Sequence, residues 1–256
     1  MTRRRRIAVQ PPKPSRIAGL DAARGFAVVM MIAYHFCFDL TWVGWAGWQM
    51  LNDSAWIASR SAIVASFLFV AGVSLAVREF SSHTASAERS FWKRWAQIAA
   101  AALLVSLGSY ALFPQSFIYF GVLHFVALAL LFTRAAPRLG GWAALPGVAA
   151  LVVGIGFHHE AFDPRAINWV GFALHKPVTE DYVPLFPWLG VVLLGCAFGS
   201  MWMKRGTGGR FLSALEEAIP KRAFDGLALL GRWSLTIYLV HQPILLGTMM
   251  AIRQIA

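Results

Sequence analysis

Arg24 and His35 stand eleven residues apart in the run Leu20 to Leu40, LDAARGFAVVMMIAYHFCFDL, which is nearly apolar apart from them, Asp21 and Asp39. A neutral imidazole near pH 7 can take a proton from an acceptor or act as a nucleophile that carries a transferred group. A guanidinium held by a carboxylate three residues earlier can fork onto a phosphate. At 100° per residue the four side chains fall within about 60° of one another on a helix, so they form one polar stripe. Arg24 and His35 are then three turns apart, roughly 16 Å along the axis and about half of a bilayer core.

Composition makes the bilayer the right yardstick. The chain of 256 residues is 58% hydrophobic and 14% charged, carries eleven Trp, and has a mean hydropathy of +0.58. That is too apolar for a soluble domain, and it defines an integral membrane protein. An ionisable group inside a spanning helix costs roughly 2.5–3.5 kcal/mol unless it faces the protein interior and finds a partner. The stripe is therefore expected to face inward. The alternative is an interfacial Asp21–Arg24 pair that snorkels, with His35 capping something local.

Seven apolar segments follow one another, at about 18–40, 60–79, 94–113, 118–135, 142–158, 185–203 and 227–252. The expectation is an all-α, polytopic membrane helical bundle of about seven transmembrane helices, a single domain over residues 17–256 behind a basic segment at 1–16. The net charge of +11 is a topology signal and not a nucleic-acid footprint, because Lys and Arg gather in alternate loops. They occupy Met1–Arg16, the 78–94 loop, the 134–141 loop and the 204–222 loop, which are expected to be cytoplasmic together with the N-terminus. The 1–16 segment reads as a cytoplasmic anchor and not as a cleaved signal peptide, since no small-residue cleavage site follows it. The stretch 208–222, GGRFLSALEEAIPKR, reads as a short amphipathic helix on that surface. Trp42, Trp45, Trp48 and Trp56 supply an aromatic belt on the opposite side. Cys37 and Cys196 both lie in apolar runs and are read as small core residues, with no metal site indicated.

This topology assigns depths to the other polar residues. His124 in GVLHF is expected in the outer half, as are His35 and Asp39. Ser234, Tyr238 and His241, at i, i+4 and i+7, share one face of the last helix, with Gln242 beside them. Asp181 and Tyr182, in EDYVPLFPWLG, stand at the outer entrance of the sixth helix. Three histidines are thus expected to converge on one level. Each also has a plain structural reading: His124 bonding a neighbouring helix, His241 repairing backbone freed by Pro243, Asp181 a solvated loop charge. Arg60 and Glu79, at helix ends, read as topology or snorkelling residues.

The blocks RIAGLDAARGFAVVMMIAYHFCFDL, SFLFVAGVSLA, FGVLHF, DYVPLFPWLGVVLLG and LGRWSLTIYLVHQP, which span residues 16 to 243, resemble a bacterial family grouped with the catalytic domain of heparan-α-glucosaminide N-acetyltransferase. The Arg24-to-His35 spacing is also similar to an arginine, ten residues, histidine motif in a wider group of membrane acyltransferases that acylate surface sugars. The resemblance implies acetyl-CoA or another acyl-CoA on the cytoplasmic side, an acceptor on the outer side, and an essential histidine between them. The lysosomal enzyme's catalytic histidine lies in a luminal stretch with no counterpart here residue by residue, so the reaction class carries over and the heparan substrate does not.

The residues suit that chemistry. His35 is expected to be catalytic, as base or as acyl carrier, with Asp39 at i+4 close enough for its charge to act on the imidazole. Arg24 and Asp21 are expected to bind the donor, and His124, Asp181, Tyr182, Tyr238, His241 and Gln242 the acceptor. The expected activity is transfer of an acetyl or short acyl group to an extracytoplasmic sugar or lipid-linked glycan by a multi-pass protein of the bacterial inner membrane. Its expected partners are membrane lipids, the acyl-CoA and the acceptor. The competing class is a transporter or channel whose histidines relay protons; a third is a structural membrane subunit. An alkaline phosphatase fused to the C-terminus should be active and one fused near Arg138 inactive. The reverse pattern would refute the seven-span topology.

Overall fold

A computed structural model describes residues 17–81, 85–205 and 216–255. Eight α-helices follow in order among them: α1 (Ala18–Trp42), α2 (Ser54–Ser81), α3 (Ala85–Leu112), α4 (Val122–Phe132), α5 (Ala144–Gly156), α6 (Leu185–Arg205), α7 (Lys221–Arg232) and α8 (Ser234–Ile255). A 3₁₀ stretch, Ala136–Ala143, leads directly into α5. Among the described residues six stretches are long and apolar enough to cross a membrane: α1, α2, α3, the 3₁₀ stretch with α5, α6 and α8. The outer faces are what lipid requires. Leu103, Leu104 and Leu107 on α3 and Val152 and Ile155 on α5 are each more than 60% exposed, a display that water would penalise and hydrocarbon does not.

The sequence expectation differs from the fold at two elements. The predicted fourth span, 118–135, contains only the 11 residues of α4, about 16 Å of helix and too short for a span by itself. Gly121 takes extended backbone before it, and the Ser106 hydroxyl of α3 bonds the Ile118 carbonyl there. Beyond its other end, Arg134 pairs with Glu88 at the start of α3 and Arg138 with Glu79 at the end of α2. The apolar run thus follows α3 from Ser106 back to Glu88 as a short helix with non-helical ends. The predicted last span, 227–252, is broken at Trp233 into α7 and α8. Apolar runs lie on both sides of the break, at 227–230 and 235–240, so an averaged hydropathy passes over Arg232 and Ser234 and does not reveal it. The amphipathic stretch read at 208–222 falls largely outside the described residues, as does the basic segment 1–16.

Backbone contact at glycines sets the helix packing. A Cβ on Gly25 would lie 1.8 Å from the Leu227 carbonyl oxygen, and one on Gly231 would lie 1.8 Å from that of Asp21, so α1 and α7 touch main chain to main chain. Gly72 of α2 and Gly195 of α6 meet in the same way, against the Val192 and Phe69 carbonyl oxygens. Between α2, α4 and α6 lies the main core, around Leu68, Phe125, Val192 and Cys196. Cys196 is fully buried there and Cys37 half-buried, both as free thiols.

Two extended segments close the end away from the arginine-rich turns. Residues 179–183 lie beside 116–120, joined by Glu180 N–H to the Ser116 carbonyl at 2.9 Å and Val183 N–H to that of Phe120 at 3.5 Å. The Thr179 hydroxyl adds a bond to the Phe117 carbonyl. The segment before α6 is thereby strapped to the entrance of α4, and Asp181 is brought inside.

Gly231→Ala should lower the thermal unfolding midpoint in detergent, because its methyl group must push α7 off α1, at a cost of about 1–3 kcal/mol. Gly226→Ala, on the same helix but with nothing within 4 Å of the new Cβ, should leave the midpoint unchanged or raise it through helix propensity. Equal loss in both variants would show that the close crossing is not what α7 depends on.

Candidate functional site

The stripe of α1 faces inward along its whole length, its first half meeting α2 and α7 and its second half α8. At the arginine-rich end, Arg24 donates to Asp21 at 2.7 Å and to the Ser74 hydroxyl of α2 at 2.8 Å. Arg232, the last residue of α7, brings its Nε to 3.9 Å from the other Asp21 oxygen. Two guanidinium groups therefore flank one buried carboxylate. Of the five N–H donors of Arg24, two are occupied by these bonds. Ser74 and Arg232 escape sequence reasoning because a serine in an apolar run and an arginine at a helix end carry no distinguishing pattern.

Three turns further on, His35 packs edge to face against His241 of α8, with ring centroids 4.9 Å apart. The His241 Nδ1 lies 2.8 Å from the Tyr238 carbonyl and 3.2 Å from that of Ile237. A carbonyl can only accept, so Nδ1 carries the proton, and in the neutral ring Nε2 is left as a bare acceptor. That Nε2 is buried without a partner, and so is the His35 Nδ1. Buried polar atoms are nearly always bonded in folded proteins, which makes two unpaired nitrogens on neighbouring imidazoles an unusual concentration of unused capacity. Tyr34 lies edge-on to both His35 and Trp56, with its hydroxyl also buried and unpaired.

Asp39 does not bond His35. Its Oδ1 accepts from the Gln242 amide at 2.7 Å, while its Oδ2 and the Gln242 Oε1 are buried and unpaired. The i+4 relation between His35 and Asp39 is outcompeted by the longer reach of α8. His35 with His241 and Asp39 with Gln242 thus form two successive rungs between α1 and α8.

A third connection leaves α8 at Tyr238, whose ring centre is 5.8 Å from that of His241 and whose hydroxyl donates to Asp181 Oδ2 at 3.1 Å. The Val122 N–H, at the first turn of α4, donates to the same oxygen at 2.8 Å. Burial holds the Asp181 carboxyl above the usual carboxylate range, and these two donors, Arg60 and Lys176 all oppose that rise. Arg60, read from sequence as a snorkelling residue, is half-buried at the start of α2 and exerts its charge on Asp181 and on Lys176. Its signal was a lone cation near the end of an apolar run, which also describes an interfacial anchor.

His124 and Tyr182 take structural partners. His124 receives the Gly121 N–H at Nδ1, 3.3 Å, and shares a 3.0 Å bond with the Ser106 hydroxyl through Nε2. It closes the entrance of α4, and no hydrogen bond or ring contact joins it to His35 or His241. Of the three expected histidines two meet and the third caps. Tyr182 donates to the Asn168 carbonyl at 2.7 Å, and Tyr119 to the Asn168 side-chain oxygen at 2.8 Å. Asn168, buried to 2% exposure, ties the loop between α5 and α6 to the rest, a role that a single Asn in a polar segment does not announce.

These features define a polytopic helical membrane protein with a buried histidine pair between its first and last helices and a guanidinium-flanked carboxylate three turns away. The family model for heparan-alpha-glucosaminide N-acetyltransferase, catalytic, matches residues 16–243. The chain belongs to that family of membrane acetyltransferases. No curated protein and no solved structure matches it.

The Tyr238–Asp181 bond can be tested without an activity assay. Tyr238→Phe and Asp181→Asn should each lower the unfolding midpoint, by the equivalent of about 1–3 kcal/mol for a buried group left unpaired. The double variant should lose less than the sum of the two. Additive losses would mean that the bond does not form in solution.

Proposed function

We propose that this protein is an acyl-CoA-dependent acyltransferase that moves an acetyl or other short acyl group to an extracytoplasmic sugar or lipid-linked glycan. The observation that carries the reading is the His35–His241 pair, two buried imidazoles with unpaired nitrogens three turns along α1 from the Arg24–Asp21–Arg232 cluster. The basic loops put that cluster at the cytoplasmic face by the positive-inside rule. There, two guanidiniums against one carboxylate leave a net positive charge that suits a phosphate of CoA.

In the transfer itself, His35 takes the proton of the acceptor hydroxyl or amine as that atom attacks the thioester carbonyl. The carbon–sulfur bond breaks, and the thiolate of CoA leaves and is reprotonated. As a carrier, His35 would instead attack the carbonyl first and hand the acyl group on to the acceptor. His241, with Nδ1 protonated and Nε2 bare, can take up the proton that His35 releases or orient its ring. Asp181, through Tyr238, steadies the positive charge that develops on the pair. The same chain of titratable groups from His35 to Asp181 also suits a proton relay, the second reading, in which a protein of this family would translocate protons and not acyl groups.

His35→Ala should abolish acyl transfer, with a loss of about 10²–10⁴ for a missing general base, while acyl-CoA still raises the unfolding midpoint of the purified protein. Arg24→Lys should do the opposite: weaker stabilisation by acyl-CoA, with the fold and insertion kept. Labelled acyl-CoA without acceptor separates the two roles of His35, since only a carrier leaves label on the protein. Full transfer activity in inserted His35→Ala would end the proposal, and His35-dependent proton flux without transfer would establish the relay.

A further inference from the structure

Beside the loop between α5 and α6 lies an open cavity of about 270 Å³ whose polar residues are His158, His175, Lys176 and Tyr182. Phe186 and Pro187, at the N-terminal end of α6, also line it. No Asp or Glu lines it. Two carboxylates of this loop region are already engaged. Asp163 accepts from the backbone N–H groups of Leu174 and His175 and holds the His175 Nδ1 at 2.7 Å, and Asp181 is taken by Val122 and Tyr238. Among the described residues Lys176 forms no ion pair, and the charges of Arg60 and Asp181 both reach it. A wall of one lysine, two histidines and a tyrosine, with Phe186 and Pro187 lining the same space, has the chemistry of a site for an anionic head with an apolar tail.

We propose that this cavity binds a phosphate group of the acceptor, with Lys176 as the principal charge and His158 and His175 as further donors. The proposal deepens the acyltransferase reading and rests on it for the word acceptor, but the binding itself does not require transfer. Burial and the Arg60 cation push the Lys176 ammonium down against the opposing charge of Asp181, and a bound oxyanion would add to that opposition. Asp163 fixes the ring of His175 through Nδ1, leaving Nε2 as the atom that can face the ligand. At about 270 Å³ the space lies at the small end of ligand pockets; it suits one phosphate with its attached residue and is too small for a whole acyl-CoA. Tyr182, which lines this cavity, is the chain neighbour of Asp181, so a ligand held here is close to the polar chain that ends at His35.

The phosphate can be borne by a lipid or by a soluble sugar, and the test separates these sources. Unfolding midpoints of the full chain in detergent are measured against farnesyl phosphate, farnesol, glucose 1-phosphate and inorganic phosphate, without acyl-CoA. Farnesyl phosphate should stabilise the parent protein and farnesol should not. Lys176→Gln should weaken that stabilisation about tenfold or more in apparent affinity, and His158→Gln should weaken it to a smaller extent, while both variants respond to acyl-CoA as the parent does. Lys176-dependent stabilisation by glucose 1-phosphate and inorganic phosphate as strong as by farnesyl phosphate would support the site and assign it to a soluble phosphate. Equal stabilisation by farnesol, or farnesyl phosphate binding unchanged in both variants, would overturn the proposal. Lys176-dependent phosphate binding in a protein without acyl transfer would leave the site standing and remove the acyltransferase reading alone.

Discussion

The cost of keeping ionisable side chains inside an apolar bundle governs this structure. Each charged group on α1 must find a partner on another helix, because lipid offers none and water reaches only the ends. Asp21 and Arg24 meet α2 and α7, His35 and Asp39 meet α8. α1 is consequently the element around which the others are placed, and α8 lies where it does because its His241 and Gln242 complete the upper half of the stripe. Polar partners of this kind contribute modestly to stability, about 0.6 kcal/mol on average in membrane bundles. Their larger effect is on specificity of arrangement, since any rotation of α1 would strand four ionisable groups in hydrocarbon.

Close packing at glycines is the second condition. Arg232 reaches Asp21 because Gly25 and Gly231 let the α1 and α7 backbones touch, and the break after Arg232 lets α8 leave α7 and run beside α1. A continuous helix over 221–255 could not make both contacts. The break at Trp233 is thus linked to the site: one side of it serves the guanidinium cluster, the other the histidine pair.

What the sequence revealed followed from the physics that it could express. The inward stripe, the pairing of Asp21 with Arg24 and the arrival of His241, Gln242 and Tyr238 beside it follow from helical periodicity and the penalty on buried charge. Partners decided by distance in space do not follow. Asp39 had a candidate one turn away in His35 and bonds Gln242 instead, 203 residues along the chain. His124 is expected from sequence at the depth of the other histidines, yet depth says nothing of azimuth, and its ring turns to α3 and its own helix entrance. Ser74 and Asn168 hold central hydrogen bonds with side chains that are common in apolar helices and loops, so no pattern marks them. The shortness of α4 was hidden by the apolar residues that continue beyond both of its ends.

The arrangement also bears on how a site can be shared by two faces of a membrane. A donor as large as acyl-CoA and a hydrophilic acceptor cannot both enter the centre of a bundle whose packing is set by glycine-to-backbone contacts. Their reactive groups can meet there if each is anchored at its own end and only the acyl group and the acceptor atom reach inward. On the proposed reading the guanidinium cluster near Asp21 anchors one and the basic cavity around Lys176 the other, with His35 and His241 between them. Dividing recognition from chemistry in this way keeps the buried region small, which an apolar bundle can tolerate, and leaves substrate selection to charged groups at the two ends, where water lowers the cost of holding them.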